Sequence, residues 1–421
     1  MKWRRAVWLV LGVVIAGWWI AGLSESSVVG TSALDSLAAR ELDVLDRDIA
    51  FFTERTRRDP ESAFDRSSLA ARYLQRARET GSEEDNRRAE EAARQSLALR
   101  LVHNVPTYAL LASSLLAQHR FTEALRAAHE LVRADSTALA SLALLGEVYL
   151  ELGRYDSAGA IFGRLRVRRD LAVAPRVARW DELSGRLDEA ERTFADAIQQ
   201  LPRQSNLRSE QVAWFYLRRG ELELKQGRLG YAERTLRSGL AVRPGDHRLL
   251  AGLAKLELMR GRPRRAIEYG EHALASQSDP ATLGIVAGAY YRLGDSARAE
   301  EYSRAMEVAV GGQSGPFHRA WSLFLLNHDR RVPEVLANAE REIRTRRDVY
   351  GYDLLAWALY KQQRYLESAQ AMTAALALGT EDAMLYYHAG MIERGLGDAA
   401  SARGYFERAR ALNPRSVFPI P

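Results

Sequence analysis

A small residue stands between bulky ones at a nearly fixed interval along most of this chain. The positions are Ala70, Ala112, Gly146, Ala178, Gly220, Ala254, Ala287, Ala356 and Gly390, with Leu323 where a tenth would fall. Successive intervals run from 32 to 42 residues and are most often 33 or 34. A second set follows each of the first: Ala89, Ala124, Ala158, Ala190, Ala232, Ala266, Ala299, Val335, Ser368 and Ala402. Between the two sets a glycine recurs, at Gly153, Gly185, Gly227, Gly261, Gly294 and Gly397. Glycine there supplies the left-handed backbone that ends a helix. Two antiparallel helices approach closely only where side chains are short at their crossing. Bulky neighbours such as Leu145, Tyr149, Tyr155 and Phe162 fill the gaps around that crossing. One such pair leaves an apolar flank open, which the next pair covers. The fold class is therefore all-α, a solenoid of about ten helix pairs.

Composition agrees. The 421 residues are 47% hydrophobic and 27% charged, with only 12 prolines, which suits a folded helical chain. Zero cysteines exclude disulfides, thiolate metal sites and thiol catalysis. The net charge of +6 raises the question of nucleic acid. Lys2, Arg4 and Arg5 supply three of those charges, and basic pairs such as Arg264-Arg265 and Arg346-Arg347 are dispersed among acids. These are solvated faces, so no nucleic-acid partner is expected.

The first residues form a separate feature. Residues 6–23 carry no charge and follow a basic flank. As a helix such a run would span roughly 27 Å, close to a bilayer's hydrocarbon thickness. Trp18 and Trp19 suit a membrane interface. The expectation is a single-pass anchor with its N-terminus cytoplasmic and the rest of the chain extracytoplasmic or periplasmic; the alternative is a cleaved signal peptide and secretion. The chain then divides into 1–24 (anchor or signal), 25–65 (linker and N-terminal capping helix, over 33–60), 66–414 (repeat array) and 415–421 (tail). Two segments lengthen the period, around Glu79–Asn86 and Arg203–Val212. Because Leu323 and Val335 replace both small residues, looser packing is expected in the eighth unit.

The pattern closely resembles the tetratricopeptide repeat. Leu145-Gly146, Tyr149, Tyr155, Ala158, Phe162 and Leu165 follow that family's signature. So do Gly397, Ala402, Phe406, Ala409 and Pro414, and Gly227, Leu229, Ala232, Leu236 and Pro244. The resemblance implies a right-handed superhelix whose inner face is lined by the first helix of each pair. It also implies which residues point inward. In the central repeats these are Arg179, Glu182, Glu221, Lys225 and Lys255. Toward the C-terminus they become aromatic and polar: Tyr291, Arg292, Phe324, Asn327, His328, Tyr350, Asp353, Trp357, Tyr360, Lys361, Tyr387 and Arg394. Aromatic and Arg residues on a concave surface are the types that form binding hot spots. The Lys and Asn four apart with which some family members clamp a peptide carboxylate do not occur at these positions.

Motifs for chemistry are missing. There is no phosphate-binding Gly-x-x-x-x-Gly-Lys, no Gly-x-Ser-x-Gly and no His-Glu-x-x-His, and the eight histidines are scattered. No catalysis, cofactor or metal is expected. The function expected is a membrane-tethered interaction scaffold holding a protein or extended peptide in its groove, within an envelope assembly, secretion or export complex. The alternatives are an accessory or regulatory subunit of a membrane enzyme or transporter, and a glycan-binding module using Trp357, Tyr360 and Tyr387.

Overall fold

The computed structural model describes residues 28–167, 170–203, 207–311 and 319–416. Twenty-one α-helices and no strand occur among them. Helix α1 (Val28–Arg58) is followed by ten antiparallel pairs. They are α2 (Ala63–Thr80) with α3 (Glu83–Leu99), α4 (Val105–Ala117) with α5 (Phe121–Ala134), and α6 (Leu139–Glu151) with α7 (Tyr155–Leu165). Next come α8 (Ala174–Leu183) with α9 (Leu187–Gln200), α10 (Ser209–Lys225) with α11 (Leu229–Val242), and α12 (His247–Met259) with α13 (Pro263–Leu274). The last four are α14 (Pro280–Arg292) with α15 (Ser296–Gly311), α16 (Arg319–Asn327) with α17 (Val332–Glu342), α18 (Val349–Lys361) with α19 (Tyr365–Leu376), and α20 (Ala383–Leu396) with α21 (Ala399–Leu412).

The small residues sit where their spacing places them, at the helix crossings. A Cβ on Gly146 would stand 2.8 Å from Phe162 Cζ, and one on Gly390 would stand 2.5 Å from Phe406 Cε1. Ala70, Ala112, Ala178, Ala254, Ala287 and Ala356 are fully buried at the same crossing. Starts are marked by carboxylates: Asp246, Asp279, Asp348, Asp382 and Asp398 each accept backbone N–H groups of the first turn. The first pair takes up its extra residues as longer helices, 18 and 17 residues, and α10 also runs to 17. α1 buries Leu45 and Ile49, though it extends earlier than 33–60.

The eighth pair requires a correction of register. In every other pair after the first, a left-handed residue falls seven after the small one, as in Ala287 and Gly294 or Ala356 and Gln363. In the eighth pair the first left-handed residue is Asp329, so the small residue is Ser322, 3% exposed, and not Leu323. A second left-handed residue, Arg331, adds one position to the turn, which shifts Val335 by one. The crossing keeps a small residue, and the irregularity lies in the turn.

The coil also closes on itself. The turn inside one pair meets the loop that precedes the pair six further on. A Cβ on Gly81 would overlap the Gln277 side chain; on Gly153 it would lie 2.2 Å from the Arg347 carbonyl oxygen; on Gly185, 2.3 Å from that of Gly379. On Gly227 it would lie 2.7 Å from Asn413 Oδ1, just beyond the last pair. The array therefore makes one turn in about six pairs, and its second turn rests on its first.

The membrane assignment is corrected. No helix among the described residues is long and apolar enough to cross a membrane. Segment 1–24 lies outside the described residues, as do 417–421 of the tail. The single-pass anchor, and the extracytoplasmic placement built on it, therefore have no support here and are dropped.

Candidate functional site

Closure of the coil sorts the twelve inward candidates into two groups. Phe324, Asp353 and Trp357 are buried, at 8%, 0% and 3% exposed. Trp357 donates its Nε1–H to Asn327 Oδ1 at 3.1 Å and stacks on His388 and Tyr360, with centroids 4.2 and 4.8 Å away. Asp353 pairs with Arg319 at 3.1 Å and with His388 Nδ1 at 2.7 Å. These residues hold α16, α18 and α20 together. A sugar ring has no access to the Trp357 face, which corrects the glycan expectation at that residue.

Tyr350 belongs to a charged centre where the two turns meet. Lys225 on α10 donates to Tyr350 Oη at 3.0 Å, and it pairs with Glu182 on α8 at 3.1 Å and Asp382 at 3.2 Å. Tyr350 Oη donates to Asp382 Oδ2 at 3.2 Å. Arg179 pairs with Glu182 at 3.0 Å, and the Arg319 guanidinium covers the Tyr350 ring at 4.5 Å. Burial pushes the Glu182 carboxyl up, but Arg179, Lys225 and Arg218 outweigh it and hold it well below the usual carboxylate range. Asp382 is likewise held low, burial being outweighed by Lys225. Burial pulls the Lys225 ammonium down, and Asp382, Tyr350 and Glu182 together raise it above the ordinary lysine value. Three sequence candidates thus line the axis as internal counter-ions. Glu221 pairs with Arg218 on its own helix, and Lys255 is exposed. Arg319 escaped sequence reading because the register was one residue off; the turn-based register places it three before Ser322, an inward position. Asp382 escaped because it sits in a loop.

The remaining eight residues form the accessible group. Arg292, Asn327, His328 and Arg394 are exposed, and Tyr291, Tyr360, Lys361 and Tyr387 are half-buried. Contacts link them across four pairs. His328 lies 4.8 Å from the Tyr291 ring and 4.5 Å from Phe324. Trp357, bonded to Asn327, is flanked by Tyr360 and by Tyr387 at 6.2 Å, and Lys361 lies 5.2 Å over its ring. Burial and the nearby Arg330 push the His328 imidazole below its ordinary value. Most of these residues sit near the C-terminal ends of first helices, at the mouth of the second turn. A Cβ added to the turn glycines Gly294 and Gly397 there would meet no atom within 4 Å, so no described residue is packed against those two glycines.

The pair Arg346-Arg347, a solvated face by sequence, is also corrected. Arg346 pairs with Glu151 at 2.9 Å and Asp348 at 2.8 Å and covers the Phe121 ring at 4.8 Å. The backbone N–H of Arg347 donates to Leu152 O at 3.3 Å. An open cleft of about 390 Å³ on the seam is lined by Gly185, Arg186, Asp188, Gln226, Arg228 and Glu381 among others. It brings together no nucleophile and base. Among the described residues, no group of three or more His, Asp or Glu side chains is placed to hold a metal.

Comparison with known proteins bears on this fold. A family model described as tetratricopeptide repeat matches residues 109–170, 217–281 and 354–417. Among solved structures, the chain is similar to the APC/C hetero-tetramer Cut9-Hcn1, at 17% identity over 91% of this chain and 67% of that one, with a TM-score of 0.48. It is also similar to PilW, a widely conserved type IV pilus biogenesis factor, at 19% identity over 53% and 99%, with a TM-score of 0.41. No curated protein matches the sequence. Each matched segment spans about two successive helix pairs, the unit built from the small-residue crossing, so these three segments match tetratricopeptide repeats.

Proposed function

We propose that the protein is a non-catalytic scaffold that captures a protein or extended peptide at the mouth of its second turn. The contact residues are Tyr291, Arg292, Asn327, His328, Tyr360, Lys361, Tyr387 and Arg394. The observation that carries this reading is their continuity: aromatic and cationic side chains on four successive pairs touch through Phe324 and Trp357, which fix them from below. Rings held rigid by a buried neighbour lose little entropy on binding, and the cations around them set orientation. Lys225 and Tyr350, in contrast, are enclosed where the two turns of the coil meet.

The test begins with photocrosslinking from position 360 in the native source to identify the bound protein. That protein is then titrated against the Tyr360→Ala/Tyr387→Ala variant. Loss of roughly 2 kcal/mol or more, a hot-spot magnitude, is expected with helix content retained. Equal affinity for the variant and the parent would remove the mouth from consideration.

A further inference from the structure

The turn glycines fall into two classes that share one backbone conformation. Gly153 and Gly185 have φ of 71° and 75°, and Gly261 and Gly294 have 71° and 77°. A Cβ on either of the first two would strike backbone of the next coil turn, whereas around the latter two nothing lies within 4 Å. The first class marks a seam running the length of the coil.

The seam is bonded in a distinctive way. The last carbonyls of an α-helix have no partner within it. At the ends of α6, α8 and α10 those carbonyls are capped from the other turn. Arg346 Nε donates to Glu151 O at 3.0 Å, Thr380 Oγ1 to Leu183 O at 2.5 Å, and Asn413 Nδ2 to Leu224 O and Lys225 O at 3.2 Å. Val349 N–H donates to Tyr155 Oη at 2.7 Å. At the start of the array, Glu41 of α1 accepts from Ser209 N–H at 3.1 Å, and Arg243 lies 3.4 Å from Glu41 and 3.3 Å from Glu79. Apolar contact across the seam is small: Tyr350 and Leu378 against the cluster around Phe162, and Arg346 over Phe121. Contacts between successive pairs add to their ion pairs large apolar clusters of leucine, alanine and aromatic side chains. Buried polar atoms without a hydrogen-bond partner also gather on the seam, at Arg208 Nε, Gln226 Oε1 and Nε2, and Gln277 Oε1.

We propose that this seam is a salt-sensitive gate: the second turn of the coil lifts off the first, exposing the charged inner face around Lys225, Tyr350 and Asp382 while every helix pair stays folded. The interfaces along the solenoid carry ion pairs too, such as Arg120–Glu90 and Arg330–Glu300, but their apolar clusters hold them together whatever the salt concentration. Those across the seam are ion pairs and caps, which weaken as ions screen them and whose carbonyls water can satisfy instead. Opening thus breaks the interaction class that is cheapest to exchange with solvent. The gate does not depend on the mouth as the binding surface, because its readout is shape and not capture.

The absence of cysteine allows a direct test. Ser157→Cys and Thr345→Cys, both exposed and on opposite sides of the seam, are spin-labelled and their separation measured by pulsed dipolar spectroscopy. At about 0.05 M salt one short distance is expected, and near 1 M a second, longer population, because the screening length falls to about 3 Å. Gly153→Ala/Gly185→Ala should populate the long distance at low salt. Gly261→Ala/Gly294→Ala, with the same backbone penalty, should not. Circular dichroism should show the helix content unchanged throughout. Should the glycine variant lose helix, Arg346→Glu replaces it, with Glu151→Arg added to restore the short distance. A short distance in every chain and at every salt concentration overturns the gate, and so does a long distance in the parent at low salt.

Discussion

At the scale of single residues, the tightest constraint is at the helix crossing. Phe162 and Phe406 occupy the volume that a side chain on Gly146 or Gly390 would need. Gly390→Leu should therefore destabilise by roughly 1–3 kcal/mol through overpacking, measured by thermal or urea unfolding. Gly404, inside α21, has no atom within 4 Å of a Cβ position. Gly404→Ala should instead stabilise by roughly 0.5–1 kcal/mol through helix propensity. If the two glycines respond alike, the crossing has been misplaced. This constraint was legible in the sequence because a crowded crossing selects small residues wherever it recurs. It failed at Leu323 because that residue stands the usual twelve before Val335, and the extra turn residue marked by Arg331 lengthens the interval to thirteen. With that slip Arg319 was lost from the inner face. Trp357 was misread for another reason: an aromatic at an inward position looks the same in sequence whether it faces a ligand or is covered by His388 and Tyr360.

At the scale of elements, helices and turns obey local chemistry, and the loops between pairs obey distant chemistry. Asp279 accepts from Thr282 N–H at 2.8 Å at the start of α14. Asp279→Ala should cost about 1 kcal/mol in unfolding free energy, the usual value of such a cap. The loop carboxylate Asp382 reaches Lys225 across the seam, and the helical Glu182 holds the same lysine from its own turn; their pH dependence has a definite sign. Both are held below their ordinary values of 3.8 and 4.5, so the folded chain binds fewer protons there than the unfolded chain does. Their stabilisation is present at neutral pH and is lost as pH falls below about 4.5. The melting temperature should drop across that range. Glu182→Gln should lower the neutral plateau and flatten the acid slope, and an unaltered slope would show that the pair with Lys225 does not form. The turn inside most pairs was readable from its recurring glycine. The loop contacts were not, since residues such as Arg346 and Glu151 lie 195 positions apart with no periodic signature.

At the scale of the whole molecule, a solenoid was legible from the interval alone, and its closure was not. How many pairs make a turn depends on small rotations at each interface, which composition does not record. Closure decides what each surface can do. It places Arg179, Glu182, Lys225 and Tyr350 inside, paired with one another, and leaves Tyr291, His328, Tyr360 and Tyr387 at a rim. The chain has only four lysines, Lys2, Lys225, Lys255 and Lys361, so amine reactivity reports on this arrangement without any substitution. Lys255 is exposed, while Lys225 is enclosed by Glu182, Tyr350 and Asp382, which keep its amine protonated above the ordinary value. Acetylation rates measured by mass spectrometry on the intact protein at low salt compare the two directly. The closed coil predicts that Lys225 reacts more than about tenfold more slowly than Lys255, since each unit of raised pKa removes a factor of ten in free amine. Equal rates at the two lysines would contradict it.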